Sequence, residues 1–129
     1  MPLILIIDDE DLMRESLAVF LRSRGYEVMT APNPAAALEA MKTPVPQLVL
    51  LDVGLGEADG LELLATFKRD WPHVPVVVLT GNGWDDGLRQ ESFHKGADGF
   101  LVKGMPIDEF MSALADCLRG KGRCASGDT

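Results

Sequence analysis

The sequence predicts an α/β fold of the doubly wound (βα)5 kind, a parallel sheet covered by helices on both faces. Three observations carry this. Short runs rich in Val, Ile and Leu alternate along the chain with segments of helical periodicity. The runs are apolar throughout and do not alternate with polar residues, as strands buried on both faces require. The length, 129 residues, suits one domain that buries a core without disulfide or metal staples.

The first strand is read at Leu3 to Ile7. Met13, Leu17, Phe20 and Leu21 then recur at helical spacing, and Gly25 follows where a helix end favours a residue free to take positive φ. The second strand covers Tyr26 to Thr30. Asn33 is a candidate N-cap with Pro34 at the first helical position, and this second helix runs through Leu38 and Met41 towards Pro44. A third strand is expected over Gln47 to Leu51. Asp59 is placed to cap a helix from Gly60 to Arg69 that turns Leu61, Leu64 and Phe67 inward. The fourth strand is read at Val74 to Thr80. A fourth helix, Trp84 to Lys95, has the weakest pattern, because Gly87 interrupts it and its surface is polar. After a fifth strand at Gly99 to Val102, the residues Ile107, Phe110, Met111, Leu114 and Leu118 form a final apolar stripe behind Pro106. The folded domain is accordingly expected over residues 1–120, with 121–129 a polar C-terminal tail or the start of a linker.

Composition narrows the function classes. The formal net charge of −8, with no basic stripe, disfavours attraction to nucleic acid or anionic lipid, which depends on Lys and Arg. The two cysteines, Cys117 and Cys124, suit neither a disulfide framework nor a zinc site. Cys117 falls near the last apolar stripe as a small buried hydrophobe, and Cys124 reads as a free thiol in the tail. His73 and His94 lie in Pro-flanked or polar surroundings and read as surface residues. No basic leader precedes the first apolar run and no apolar stretch is long enough to span a bilayer, so a cytoplasmic location is expected.

The strand ends carry the chemistry. Asp8, Asp9 and Glu10 follow strand one, Asp52 follows strand three, Thr80 closes strand four and Lys103 follows strand five. In an open parallel sheet these positions share one rim, where ligands bind. Two like charges about 4 Å apart repel by roughly 4 kcal/mol at an effective dielectric near 20, so gathered carboxylates call for positive charge. Several oxygen ligands, a hydroxyl and an ammonium suit a hard divalent cation beside a phosphoryl group. Glu10 alone needs no such role, since acids favour helix starts.

The stretches "LILIIDDE", "LVLLDVGLGEADGLELL", "VPVVVLTG" and "GADGFLVK", in this order and spacing, resemble the receiver domain of two-component response regulators over about Leu3 to Leu118. The resemblance implies a flavodoxin-like, CheY-like sheet of five strands in the order 2-1-3-4-5, flanked by five helices. It implies Asp52 as phosphoacceptor, a carboxylate nucleophile towards the phosphohistidine of a histidine kinase or phosphotransfer protein. Mg2+ would be held by Asp9 directly, by Asp8 through water, by Asp52 and by the backbone carbonyl of Gly54. Lys103 and Thr80 would hold phosphoryl oxygens, and Thr80 with Phe100 would form the switch that signals to a downstream protein target or effector domain. The resemblance thus implies a signalling domain and not an enzyme, acting as a monomer or a phosphorylation-dependent dimer.

The sequence also departs from the family pattern. Gly56 stands four residues after Asp52 where receivers often have Pro, and Gly104 replaces the cis-forming Pro after the lysine. A trans bond is expected at Lys103-Gly104, since a non-proline cis bond costs about 2.5–4 kcal/mol. These departures leave a degenerate, non-phosphorylated receiver acting as a protein-interaction module as one alternative. An aspartyl-nucleophile, metal-dependent phosphatase is another; such enzymes usually place Asp-x-Asp after strand one with a cap insertion, and neither occurs here. A flavin-binding domain would want a phosphate-cradling loop after strand one, where "DDEDLMRE" would repel it. The residues after Leu118 are too few for a DNA-binding or catalytic effector, so the output is either a free-standing interaction or a domain beyond this segment.

Overall fold

In a computed structural model that describes residues 2–42, 44–53, 60–81, 86–119 and the backbone of 124–125, strands and helices alternate in the expected order. They run β1 (Leu3–Ile7), α1 (Asp11–Ser23), β2 (Glu27–Ala31), α2 (Pro34–Ala40), β3 (Leu48–Asp52), α3 (Gly60–Asp70), β4 (Val76–Thr80), α4 (Asp86–His94), β5 (Gly99–Val102), α5 (Ile107–Leu118) and β6 (Cys124–Ala125). Local signals set several of these boundaries. Gly25 takes φ +95° after α1, and the Asn33 side chain accepts a hydrogen bond from the Ala36 amide at 2.8 Å, with Pro34 behind it. The Asp59 cap expected for α3 lies outside the described residues, as does Trp84 at the expected start of α4.

All strand pairs are parallel, in the order β2-β1-β3-β4-β5-β6. The first five stand in the order 2-1-3-4-5, and five helices accompany them. The chain moves from β1 outward to β2 and then returns to the other side of β1, so the crevice at the strand ends opens between β1 and β3. The sequence predicts a polar tail or the start of a linker over residues 121–129; within that stretch Cys124 and Ala125 pair with Gly99 and Phe100 and occupy the outer edge of β5. An edge strand offers unpaired backbone groups, which a passing chain can satisfy whatever its side chains.

Alternation along the strands divides the core in two. Ile4, Ile6, Leu50, Val77 and Leu101 face Ala18 and Leu21 of α1 and Phe110, Leu114 and Cys117 of α5. Leu5, Ile7, Leu51, Val78 and Phe100 face the other way, with Ala37 of α2, Leu64 and Phe67 of α3 and Phe93 of α4. Cys117 is buried, as its place on the apolar stripe of α5 predicts, and His73 and His94 are exposed. No described helix is long and apolar enough to cross a membrane.

At the end of the sheet opposite the acidic rim, a polar brace fixes β4 against β5. The Lys68 ammonium donates to Asp98 Oδ2 at 2.8 Å and to the Val74 carbonyl at 3.0 Å, while the Val76 amide donates to the same Asp98 oxygen at 2.9 Å. The Asp98 amide in turn donates to the Val76 carbonyl at 2.8 Å. This brace sets the register that later pairs Thr80 with Val102. Asp98→Ala would leave an amide and an ammonium without their shared acceptor. It should lower unfolding free energy by about 1–3 kcal/mol in urea titration; an unchanged midpoint would show that strand packing alone sets the register.

Candidate metal centre

Register determines which side chains meet at the rim. Ile7 lies beside Leu51, so Asp8 and Asp52, each one position further on, emerge side by side from β1 and β3. Asp52 pairs with Leu79, and Thr80 pairs with Val102, which brings Thr80 and Lys103 to the same end. Four polar or charged residues are buried among those described. Ser92 donates its hydroxyl to the Leu88 carbonyl within α4, and the other three, Asp8, Asp52 and Thr80, gather at this rim at 1%, 5% and 3% exposure.

Lys103 joins them. Its ammonium donates to Asp52 Oδ2 at 2.7 Å and to Asp8 Oδ2 at 3.1 Å. Burial alone would push the lysine pKa down; the hydrogen bonds to Asp52 and Asp8, with their charges, outweigh it and hold the ammonium above the usual lysine range. The lysine gets there without the proline usual after it. Gly104 takes φ +87°, a value closed to proline, in a turn where the Met105 amide donates to the Val102 carbonyl at 3.3 Å.

Asp8 is held on every side. Its amide donates to the Ala31 carbonyl at 3.1 Å, its Oδ1 accepts from the Glu10 amide at 3.0 Å, and its carbonyl accepts from Arg14 Nη1 at 2.8 Å. Asp9 is exposed, yet one carboxylate oxygen from each of Asp8, Asp9 and Asp52 falls within 4.8 Å of the others. This donor set fits a hard divalent cation: all its ligand atoms are oxygens, and three carboxylates set against one ammonium leave charge for a cation to neutralise. Glu10 occupies the N-cap of α1 but its side chain caps nothing, so it stands apart from the cluster.

The other expected residues divide. Thr80 lies at the rim, and its carbonyl accepts from the Lys103 amide at 2.7 Å. Phe100 is fully buried beside Val78, two register positions back from Thr80 and Val102, inside the core shared with α3 and α4. The Gly54 carbonyl expected as a ligand, and the Gly56 departure, lie outside the described residues. Arg14 was missed by the sequence reading. Its i, i+3 spacing from Asp11 marked only an ordinary helix pair, and a guanidinium bound to a backbone carbonyl leaves no pattern of residue types.

Comparison with known proteins agrees with this geometry. The family profile described as response regulator receiver domain matches residues 4–115. The transcriptional regulatory protein KdpE of Mycobacterium tuberculosis is 36% identical over 119 residues, covering 92% of this chain and 52% of the relative. The chain thus spans about half the length of the curated relatives it matches. Among solved structures, a response regulator receiver domain protein from Clostridium thermocellum superposes with TM-score 0.84 at 26% identity, covering 94% of this chain and 97% of that one. The response regulator TrrA of Thermotoga maritima, solved in complex with Mg2+-BeF, gives TM-score 0.80 at 29% identity, with 91% and 99% covered.

The lysine bridge can be tested through stability. A lysine raised by its folded environment stabilises the fold below the usual lysine range, and that contribution fades as pH climbs through the raised value. Lys103→Met should therefore cost about 3 kcal/mol at neutral pH without divalent cations, because two buried carboxylates lose their counter-charge. The gap to the wild type should narrow in strongly alkaline solution, and added Mg2+ should recover part of the loss. Chemical denaturation across pH, with and without Mg2+, reads all three effects.

Proposed function

We propose, since this chain belongs to the response regulator receiver domain family, that it receives a phosphoryl group on Asp52 and passes on the resulting change of shape. Receiver domains interact with histidine kinases and effector domains and generally bind Mg2+ at an acidic pocket; they are signalling domains. For this chain the donor would be the phosphohistidine of a histidine kinase or phosphotransfer protein. The single observation that carries the reading is the meeting of Asp8, Asp9, Asp52 and Lys103 in one pocket.

A carboxylate oxygen of Asp52 would attack phosphorus; the P–N bond to the donor imidazole breaks as the acyl phosphate bond forms, and the imidazole leaves and is protonated. Asp52 suits this as the terminal residue of β3, 5% exposed, with its position fixed between β1 and β4. Asp9 and Asp52 would hold Mg2+ directly and Asp8 through water, with the Gly54 carbonyl as the further oxygen expected from the sequence. When bound, Mg2+ would supply positive charge that offsets the negative charge of the nucleophile and of the phosphoryl group. Lys103, already hydrogen-bonded to Asp52, would exchange that contact for a phosphoryl oxygen, and Thr80 would donate its hydroxyl to another. The Mg2+-BeF complex of TrrA supports the same ion at this acidic cluster.

The signal would be a population shift. Contacts that Thr80 and Lys103 make only with the phosphorylated state favour one arrangement of β4, β5 and the α4 side over the other. Phe100, buried two register positions from Thr80, would have to repack with it; having no hydroxyl, it can contribute only through packing. The receiver reading covers residues 1–120; beyond it the Cys124–Ala125 pair lies along β5, and, since the curated relatives are about twice as long, the rest of 121–129 would be a tail or lead to an effector.

Incubation with Mg2+ and acetyl phosphate followed by intact-mass measurement tests this. One phosphoryl group should be added to the wild type and none to Asp52→Asn. Addition that persists in Asp52→Asn would overturn the acceptor assignment, and no addition to the wild type would favour a degenerate receiver.

A further inference from the structure

We infer that Arg14 is a positioning residue for the metal centre, acting through the Asp8–Asp9 peptide and not as a ligand. The inference rests on the receiver reading for the identity of the ion. Its physical basis is a contrast between the two acids. Asp8 has its amide, carbonyl and both carboxylate oxygens bonded, to Ala31, Arg14, Glu10 and Lys103 respectively. Asp9 is exposed, and among the described residues its carboxylate makes no hydrogen bond or ion pair. The aim of the Asp9 carboxylate therefore depends on the backbone that carries it. The peptide that leads into Asp9 is the one whose carbonyl oxygen accepts from Arg14 Nη1 at 2.8 Å.

The arginine is built to hold that carbonyl. Its side chain is 11% exposed although it sits in the first turns of α1 beside solvent. Its Nη2 donates to Asp11 Oδ1 at 2.6 Å, so the planar guanidinium spans from the peptide between the two acids to the first residue of the helix. Its Nε is buried without a hydrogen-bond partner among the described residues and lies 3.8 Å from Glu15 Oε2. The Arg14 amide also donates to the Glu10 carbonyl at 3.0 Å, which starts the helix. The loop from Asp8 to Asp11 is thus clamped at both ends by one residue, and Asp9 stands between the clamped points.

Positioning and simple electrostatics predict opposite signs. An arginine near three carboxylates competes with a divalent cation, so removing its charge should tighten Mg2+ binding if the charge were all that mattered. If Arg14 instead orders the ligand loop, removing it should weaken binding, as loss of outer partners does at metal sites. The measurement is Mg2+ affinity of the full chain by isothermal titration calorimetry for the wild type, Arg14→Gln and Arg14→Lys, with thermal unfolding in EDTA as a check on folding. Arg14→Gln is expected to raise the Kd roughly tenfold with a small change in Tm. Arg14→Lys keeps the charge but cannot grip both ends, and its Kd should fall between the other two. A Kd for Arg14→Gln equal to or tighter than that of the wild type would overturn the inference. So would a Kd for Arg14→Lys equal to that of the wild type, since charge alone would then suffice. Should Arg14→Gln unfold, Arg14→Lys decides by itself. Failure of the wild type to bind Mg2+ would instead overturn the receiver reading on which the inference rests.

Discussion

The two hydrogen bonds of the Lys103 ammonium, to Asp52 at 2.7 Å and to Asp8 at 3.1 Å, are the interaction on which the rest of the structure depends. Burying two carboxylates side by side, at 5% and 1% exposure, is costly without a counter-charge. Lys103 supplies part of it. Asp9 adds a third carboxylate at the open side of the cluster, and the remaining negative charge makes the rim receptive to a hard cation. The same lysine follows β5, whose pairing with β4 places Thr80 alongside, so the charge balance of the rim and the alignment of the sheet are one problem.

The scaffold solves that problem from below. Apolar strands packed on both faces leave little freedom in register, because most side chains of β1, β3, β4 and β5 already have a place in one of the two cores. The brace of Lys68, Asp98 and Val76 fixes the opposite ends of β4 and β5. Side chains at the acidic rim therefore stand on ends whose positions are set elsewhere, while the connecting loops remain free to vary in sequence. With Gly104 in place of a proline, a turn of positive φ follows the lysine, and its ammonium still reaches both Asp52 and Asp8.

Much of this was legible in the sequence, for identifiable reasons. Strands β1 and β5 and helix α5 fall where unbroken apolar runs or a regular stripe put them, because burial determines those patterns directly. The rim residues Asp8, Asp52, Thr80 and Lys103 were legible because strand ends in a parallel sheet must share an edge. Less legible were features carried by backbone atoms. Arg14 binds a carbonyl, and β6 pairs through amides and carbonyls of Cys124 and Ala125, so neither leaves a side-chain signature. Smaller offsets have a similar origin: β2 begins at Glu27, not Tyr26, and β3 extends through Asp52, since hydrogen-bond pairing and not hydropathy ends a strand.

The central claim, that these carboxylates form one cation site at the strand ends, is tested most directly by substituting Mn2+ for Mg2+ and following amide resonances of the labelled protein. Paramagnetic broadening should centre on residues 8–9, 52–53, 80–81 and 103, and excess Mg2+ should reverse it. Broadening centred instead on the exposed acids Asp108 and Glu109 at the start of α5, or spread evenly over the acidic surface, would contradict the account.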